Sequence, residues 1–285
     1  MILLLGPTYS KTRICRELKV SRASLYWKKK ELKLKRTRYE KESDADVLIQ
    51  VKTILDDRPS YGHKRVTAMI NKKRKAANLP KFNRKRIYRV MELNGLLMKK
   101  EVVLREHEKT GEIITLHSNT RWCSDGLEIR CYNGEKVYVA FSLDCHDREA
   151  ISYVASKYPL LASDIQNLMI QSVDARFEGG KTLRDIQWLS DRGSIYRALE
   201  TKQLAKDLGL TSCFTAAYSP QSNGMSEAFV GTLKRDYVYT HDCFDADTVL
   251  KMLPGWFKDY NEEAPHSGLG MMSPVEYKKQ IKQGA

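Results

Sequence analysis

The stretch Arg184-Asp-Ile-Gln-Trp-Leu-Ser190 reads as a short buried strand that runs directly into an acid, Asp191. Downstream the pattern is a helix over residues 194–208, a short strand over 210–215 and a helix over about 222–240. Upstream it changes to strands. Residues 121–132 alternate, Asn133-Gly134 is a strong hairpin turn, and residues 136–144 answer as the partner strand. A third strand is expected over 148–156. A helix follows over 164–177, with Ile165, Leu168, Met169 and Val173 on one side. The order βββαβαβα predicts a mixed α/β fold with an antiparallel start.

Three acids occupy telling places in that order. Asp125 closes Trp122-Cys-Ser-Asp125 in the first strand, Asp191 ends what reads as the central strand, and Glu227 lies on the last helix. Between Asp191 and Glu227 lie 35 residues, and 65 separate Asp125 from Asp191. On a helix, Glu227, Gly231 and Lys234 share one face, four and then three residues apart. Lys234 would stand about two turns beyond the acid, with Arg235 on the neighbouring face.

The chain has 285 residues, a formal charge of +14 and a pI near 9.4, a balance that favours a polyanionic partner. That charge is segregated. Residues 1–115 hold 30 Lys and Arg against 13 Asp and Glu, whereas 116–285 hold 19 against 22. Residues 12–30 read as a helix-turn-helix with Ser21 as N-cap, followed by a basic linker to Arg38. A second unit spans about 39–112. Its first helix starts at Ser43-Asp44, with Val47, Ile49, Val51, Ile54 and Leu55 as its apolar positions. Tyr61-Gly62 opens a second, and Asn83 caps a third that ends at Asn94-Gly95. A three-helix unit with a basic last helix is the general form of a DNA reader. Its candidate contacts are Lys64, Arg65, Lys72 and Lys73 on the second helix and Arg84, Lys85 and Arg89 on the third.

Five segments carry a resemblance to a known family: Tyr61-Gly-His-Lys-Arg-Val; Asn119-Thr-Arg-Trp122-Cys-Ser-Asp125; Leu189-Ser-Asp191-Arg-Gly-Ser-Ile-Tyr196; the run from Ser219 through Gly224 and Glu227 to Lys234; and Tyr260-Asn261 with Pro265-His266, Leu269 and Ser273-Pro274. Together they resemble the second-frame transposase of a bacterial insertion sequence, a DDE enzyme related to retroviral integrases. The resemblance implies a ribonuclease-H-like core of five mixed strands over about 113–242, a helical extension over 243–285, and helical DNA-binding modules before the core. It also implies cleavage of element-end DNA and strand transfer by a homo-oligomer, a dimer or larger, that holds two double-stranded ends. Such proteins are commonly fused to an upstream frame, so part of the end-recognition apparatus is expected to lie elsewhere.

The chemistry has its own physical reason. Breaking a phosphodiester needs an activated attacking oxygen and a stabilised leaving oxygen, and two Mg²⁺ or Mn²⁺ ions about 3.5–4 Å apart serve both. Hard cations take oxygen ligands. Asp125 is expected to bridge the ions, with Asp191 on one and Glu227 on the other. Repulsion among the three predicts an incomplete or displaced site without metal.

Rival readings are weaker. Asp144 and Asp147 follow the second strand, and the resemblance implies that they serve a structural turn at its end. His107, His117, Cys123 and Cys131 fit no standard zinc spacing. Trp122, Trp188 and Trp256 are expected in the core or an interface. Six scattered cysteines argue for reduced thiols in a cytoplasmic protein, and no apolar run reaches membrane length. A DNA-binding regulator with a dead core, or a nuclease that cuts without joining, remains as an alternative.

Overall fold

In the computed structural model the described residues are 15, 17, 19, 42–98, 115–182, 185–215 and 224–284. The helix-turn-helix read over 12–30 and the basic linker after it lie outside them, apart from Cys15, Glu17 and Lys19. The chain divides into two units, residues 1–45 and 46–285.

Three helices open the second unit: α1 (Ala45–Asp57), α2 (His63–Ala76) and α3 (Arg84–Leu93). Val47, Val51 and Ile54 form the buried stripe of α1, spaced to fall on one side. Ile49, expected inside, is 64% exposed because it lies off that stripe. Val66, Met69 and Ile70 of α2 and Ile87, Val90 and Met91 of α3 complete a small core with Tyr61. The Asn83 side chain accepts from the Lys85 N–H at 2.8 Å, capping α3 as expected. Gly95, at φ +67°, ends the run after that helix.

The sheet comprises β1 (Arg121–Arg130), β2 (Lys136–Asp144), β3 (Ala150–Ser156), β4 (Ile186–Ser190) and β5 (Leu210–Phe214), in the order β3-β2-β1-β4-β5. The first three strands are antiparallel neighbours; β4 runs parallel to β1, and β5 parallel to β4. This mixed five-stranded sheet with flanking helices is ribonuclease-H-like. One expectation is corrected: the central strand is β1, which carries Asp125, and the strand before Asp191 is its neighbour β4.

Helices cover both faces. Trp122, Ala140, Ile186 and Trp188 pack on one side against α4 (Ala162–Arg176), with Tyr196 of α5 (Ser194–Arg197) and Ala205 of α6 (Leu199–Asp207). On the other side, Cys123, Leu127, Ile129, Val139 and Phe141 meet α7 (Gly224–Asp236) and α8 (Ala246–Glu262). Val249, Leu253, Trp256, Phe257 and Tyr260 give α8 its buried stripe. A last helix, α9 (Pro274–Gly284), completes the described chain. The helix expected over 194–208 is two, separated by extended backbone at Ala198. The helix expected to reach 240 ends at Asp236, before a 3-10 turn at Val238–Thr240. The three tryptophans are buried, as expected.

Candidate active site

Strand periodicity and parallel register bring the acids together. Side chains alternate across a sheet, so Asp125 shares the face of Cys123 and Leu127, which is the face that α7 covers. Cys123 pairs with Leu189 in the parallel ladder of β1 and β4. Two residues further along each chain come Asp125 and Asp191. β4 ends at Ser190, so Asp191 stands one residue past the strand, and its charge is near enough to repel Asp125. Phe229 anchors α7 by packing on Phe141 at 4.4 Å between centroids, and Phe141 is the residue opposite Asp125 on β2. Glu227, two residues before Phe229 on α7, is exposed, and its charge repels Asp125.

The electrostatics report the same convergence. The Asp125 carboxyl is pushed above its ordinary range, first by burial and then by repulsion from Asp191 and Glu227. The Gly126 N–H donates to one Asp125 oxygen at 2.8 Å and offsets part of that burden. Asp191 is steadied the same way by the Gly193 N–H at 2.9 Å. A Cβ at Gly193 would stand 3.0 Å from that carboxylate oxygen, so this turn favours glycine. Behind the site, Tyr196 and Ser124 share a buried hydrogen bond of 2.9 Å. Burial pushes the Tyr196 phenol well above its ordinary range. Ser124 and Tyr196 fall within the segments that carry the resemblance, yet nothing in the sequence marks their bond: a tyrosine five residues after an acid is informative only once the register is known.

Among the described residues, no group of three acidic, histidine or cysteine side chains is close enough to hold one ion jointly. The chemistry of Asp125, Asp191 and Glu227 suits a hard divalent cation, which takes oxygen ligands. Mg²⁺ typically takes one or two carboxylates and fills its shell with water and phosphate. Asp125, in the middle and repelled from both sides, is the oxygen donor whose charge such ions would relieve.

Asp144 and Asp147 have structural partners. Asp144 is fully buried and accepts from the Asn119 N–H at 2.7 Å and the Trp122 indole at 3.2 Å. Asp147 pairs with Arg176 at 3.1 Å, and Arg176 also meets Glu149 at 2.8 Å. Of the imagined zinc set, His107 lies outside the described residues, while Cys123 and Cys131 are buried in the core around β1.

The basic residues divide. Lys64, Lys73, Arg84 and Lys85 are exposed on α2 and α3, and Lys234 is partly exposed on α7. Arg65 is a correction: instead of projecting outward it binds Asp236 at 2.5 Å with its side chain 18% exposed. Lys72 and Arg235 are also engaged within the protein. Lys72 lies 2.9 Å from both Glu263 and Glu276, and Arg235 lies 2.8 Å from Asp236. Arg89, expected outward, is partly buried.

Comparison with known proteins agrees with this architecture. Residues 116–220 and 208–274 each match an integrase core domain, and residues 41–101 match an HTH-like domain. Transposase InsD for insertion element IS2A/D/F/H/I/K of Escherichia coli is 38% identical over 286 residues, covering 97% of this chain and 93% of that protein. Among solved structures, a chain of the simian T-cell lymphotropic virus intasome is similar at TM-score 0.49 and 15% identity, over 66% of each chain. The catalytic domain of the Mos1 mariner transposase is similar at TM-score 0.41 and 22% identity, over 49% of this chain and 70% of that one.

Proposed function

Because the chain belongs to the transposase family of the insertion element IS2, we propose that it binds the ends of its own element, cleaves the DNA to expose a 3′-hydroxyl and joins that hydroxyl to another strand. The observation that carries this reading is the repulsion of Asp125 by both Asp191 and Glu227, which marks one site fed by three separate elements.

In this reading Asp125, Asp191 and Glu227 would hold two Mg²⁺ or Mn²⁺ ions, Asp125 serving both, Asp191 one and Glu227 the other. When bound, such ions activate the attacking oxygen and stabilise the leaving one. The chain's own residues do the rest. The N–H groups of Gly126 and Gly193 each fix one oxygen of an acid, leaving the other oxygen of Asp125 and of Asp191 free of those two bonds. Lys234, two turns beyond Glu227 on α7, grips the DNA beside the scissile phosphate. Lys64 and Lys73 of α2, with Arg84 and Lys85 of α3, neutralise backbone phosphates of the end. Two ends must be handled together, so the working form is a homo-oligomer. Work on bacterial DNA calls for a cytoplasmic location, and no described helix is long and apolar enough to cross a membrane.

The test is a strand-transfer assay with a duplex carrying the element's terminal inverted repeat and Mn²⁺. The expected product is a joined strand, absent with Glu227→Gln. Hydrolysis without joining identifies a nuclease, and binding without cleavage identifies a regulator; either outcome overturns the proposal.

A further inference from the structure

The run Arg58-Pro-Ser-Tyr61-Gly-His-Lys-Arg65, of which the chemistry above uses only Lys64, meets the catalytic half of the unit at the far end of α7. Arg58 clasps Asp259 of α8 with two parallel hydrogen bonds of 2.6 and 2.5 Å. The Tyr237 phenol donates to the same carboxylate at 2.8 Å. Asp236, the last residue of α7, accepts from Ser60 at 2.6 Å and from Arg65 at 2.5 and 3.2 Å. Between the two arginines lies the buried Tyr61, its ring 4.0 Å from the Arg65 guanidinium and its hydroxyl 3.1 Å from Arg58. The Asp236 side chain is only 4% exposed. Burial pushes its carboxyl up, but hydrogen bonds from Arg235 and Arg65 outweigh that and hold it below the ordinary range. A charge so enclosed cannot lose its partner cheaply.

This contact has a direction. Helix α2 presents Lys64 to solvent and turns its neighbour Arg65 inward to Asp236. Asp236 lies nine residues after Glu227 on one helix, a span of about 13 Å along its axis. Phe229 and Leu233, between them, hold α7 to the sheet by apolar packing, which is non-directional; the paired charges at its end define its position along and around the axis.

We infer that Arg65 and Arg58 are positioning residues: acting through Asp236 and Asp259, they fix the helix that bears Glu227, so that DNA held on α2 and α3 sets where that glutamate stands. The inference rests on the transposase reading. A bidentate arginine clasp suits the task because it defines orientation as well as distance.

The experiment uses the full chain and a duplex carrying the element's terminal inverted repeat. It compares the parent with Arg65→Met, Asp236→Asn and the exchanged pair Arg65→Asp with Asp236→Arg. Three readouts are taken: affinity for the duplex, the Mg²⁺ concentration giving half-maximal cleavage, and hydrogen exchange over residues 224–236 with and without DNA. Both single variants are expected to bind the duplex like the parent, to need about tenfold more Mg²⁺, and to lose the slowing of exchange that DNA causes in 224–236. The exchanged pair is expected to recover part of both. Weakened duplex binding at an unchanged Mg²⁺ requirement would make Arg65 a DNA contact and overturn the inference. So would variants that only melt earlier, with Mg²⁺ requirement and exchange unaltered. Should Arg65→Met fail to fold, Arg65→Lys, which keeps the charge but not the fork, takes its place under the same outcomes. If the parent never cleaves, the transposase reading fails by itself, and exchange over 224–236 on adding DNA still decides the inference.

Discussion

The hydroxyls of Tyr196 and Ser124 lie 2.9 Å apart, both out of solvent, and tie the helix just after Asp191 to the strand that bears Asp125. Each hydroxyl is buried, so removing one leaves the other without that partner. Tyr196→Phe is expected to cost about 1–3 kcal/mol. In a domain of this size each kcal/mol lowers the melting temperature by about 2–4 °C. Adding Ser124→Ala removes the stranded hydroxyl, so the double variant is expected to melt above Tyr196→Phe alone. Thermal melts of the three proteins check this. Additive losses would mean the bond does not matter.

The raised carboxyl of Asp125 makes a prediction with a definite sign. Burial first, then Asp191 and Glu227, let it keep its proton to a higher pH in the folded chain than its ordinary value of 3.8. As pH rises from that value through the folded one, the folded state binds more protons than the unfolded state. Stability therefore falls across that window and the penalty stays constant above it. With chelator present at neutral pH, Asp125→Asn is expected to melt higher than the parent, and the gap to close as pH falls toward about 4. Adding Mg²⁺ is expected to raise the parent's melting temperature and leave the variant's unchanged. A parent that melts higher without metal would refute it.

Asp147 offers the contrasting case. Burial works to raise its carboxyl, and the Arg176 guanidinium outweighs burial and keeps it below the ordinary range. Arg176→Met leaves the buried Asp147 uncompensated, an expected loss of about 3–5 kcal/mol. A denaturant melt measures it. A small loss would mean that the bonds from the Glu149 N–H and Ser118 hold the buried charge without Arg176.

The exposed basic residues predict a salt signature. Each phosphate neutralised contributes about −0.9 to the slope of log affinity against log salt. Arg84→Ala with Lys85→Ala is expected to weaken end-DNA binding and flatten that slope by nearly two such steps. An unaltered slope would move the DNA path off α3.

What was legible in the sequence was what local chemistry encodes. The Asn133-Gly134 hairpin, the Asn83 cap and the strand leading into Asp191 depend on neighbours a few residues away, and all three are present. Long-range pairing carried no such signal. The parallel register that joins β1 to β4 spans 66 positions, so β4 was taken as the central strand when β1 is. Arg65 counts among the candidate DNA contacts in the sequence, but the acid that it binds is 171 residues away. Asp125 and Glu227 could be singled out by motif and spacing, whereas the buried hydroxyl pair behind the site could not.

The central claim is that Asp125, Asp191 and Glu227 form one metal site on DNA. Mn²⁺ binding to the complex with end duplex, followed by electron paramagnetic resonance, tests it most directly. The expected result is two coupled ions per chain in the parent, with at least one lost in each of Asp125→Asn, Asp191→Asn and Glu227→Gln while the duplex stays bound. Equal Mn²⁺ occupancy in the parent and all three variants would contradict it.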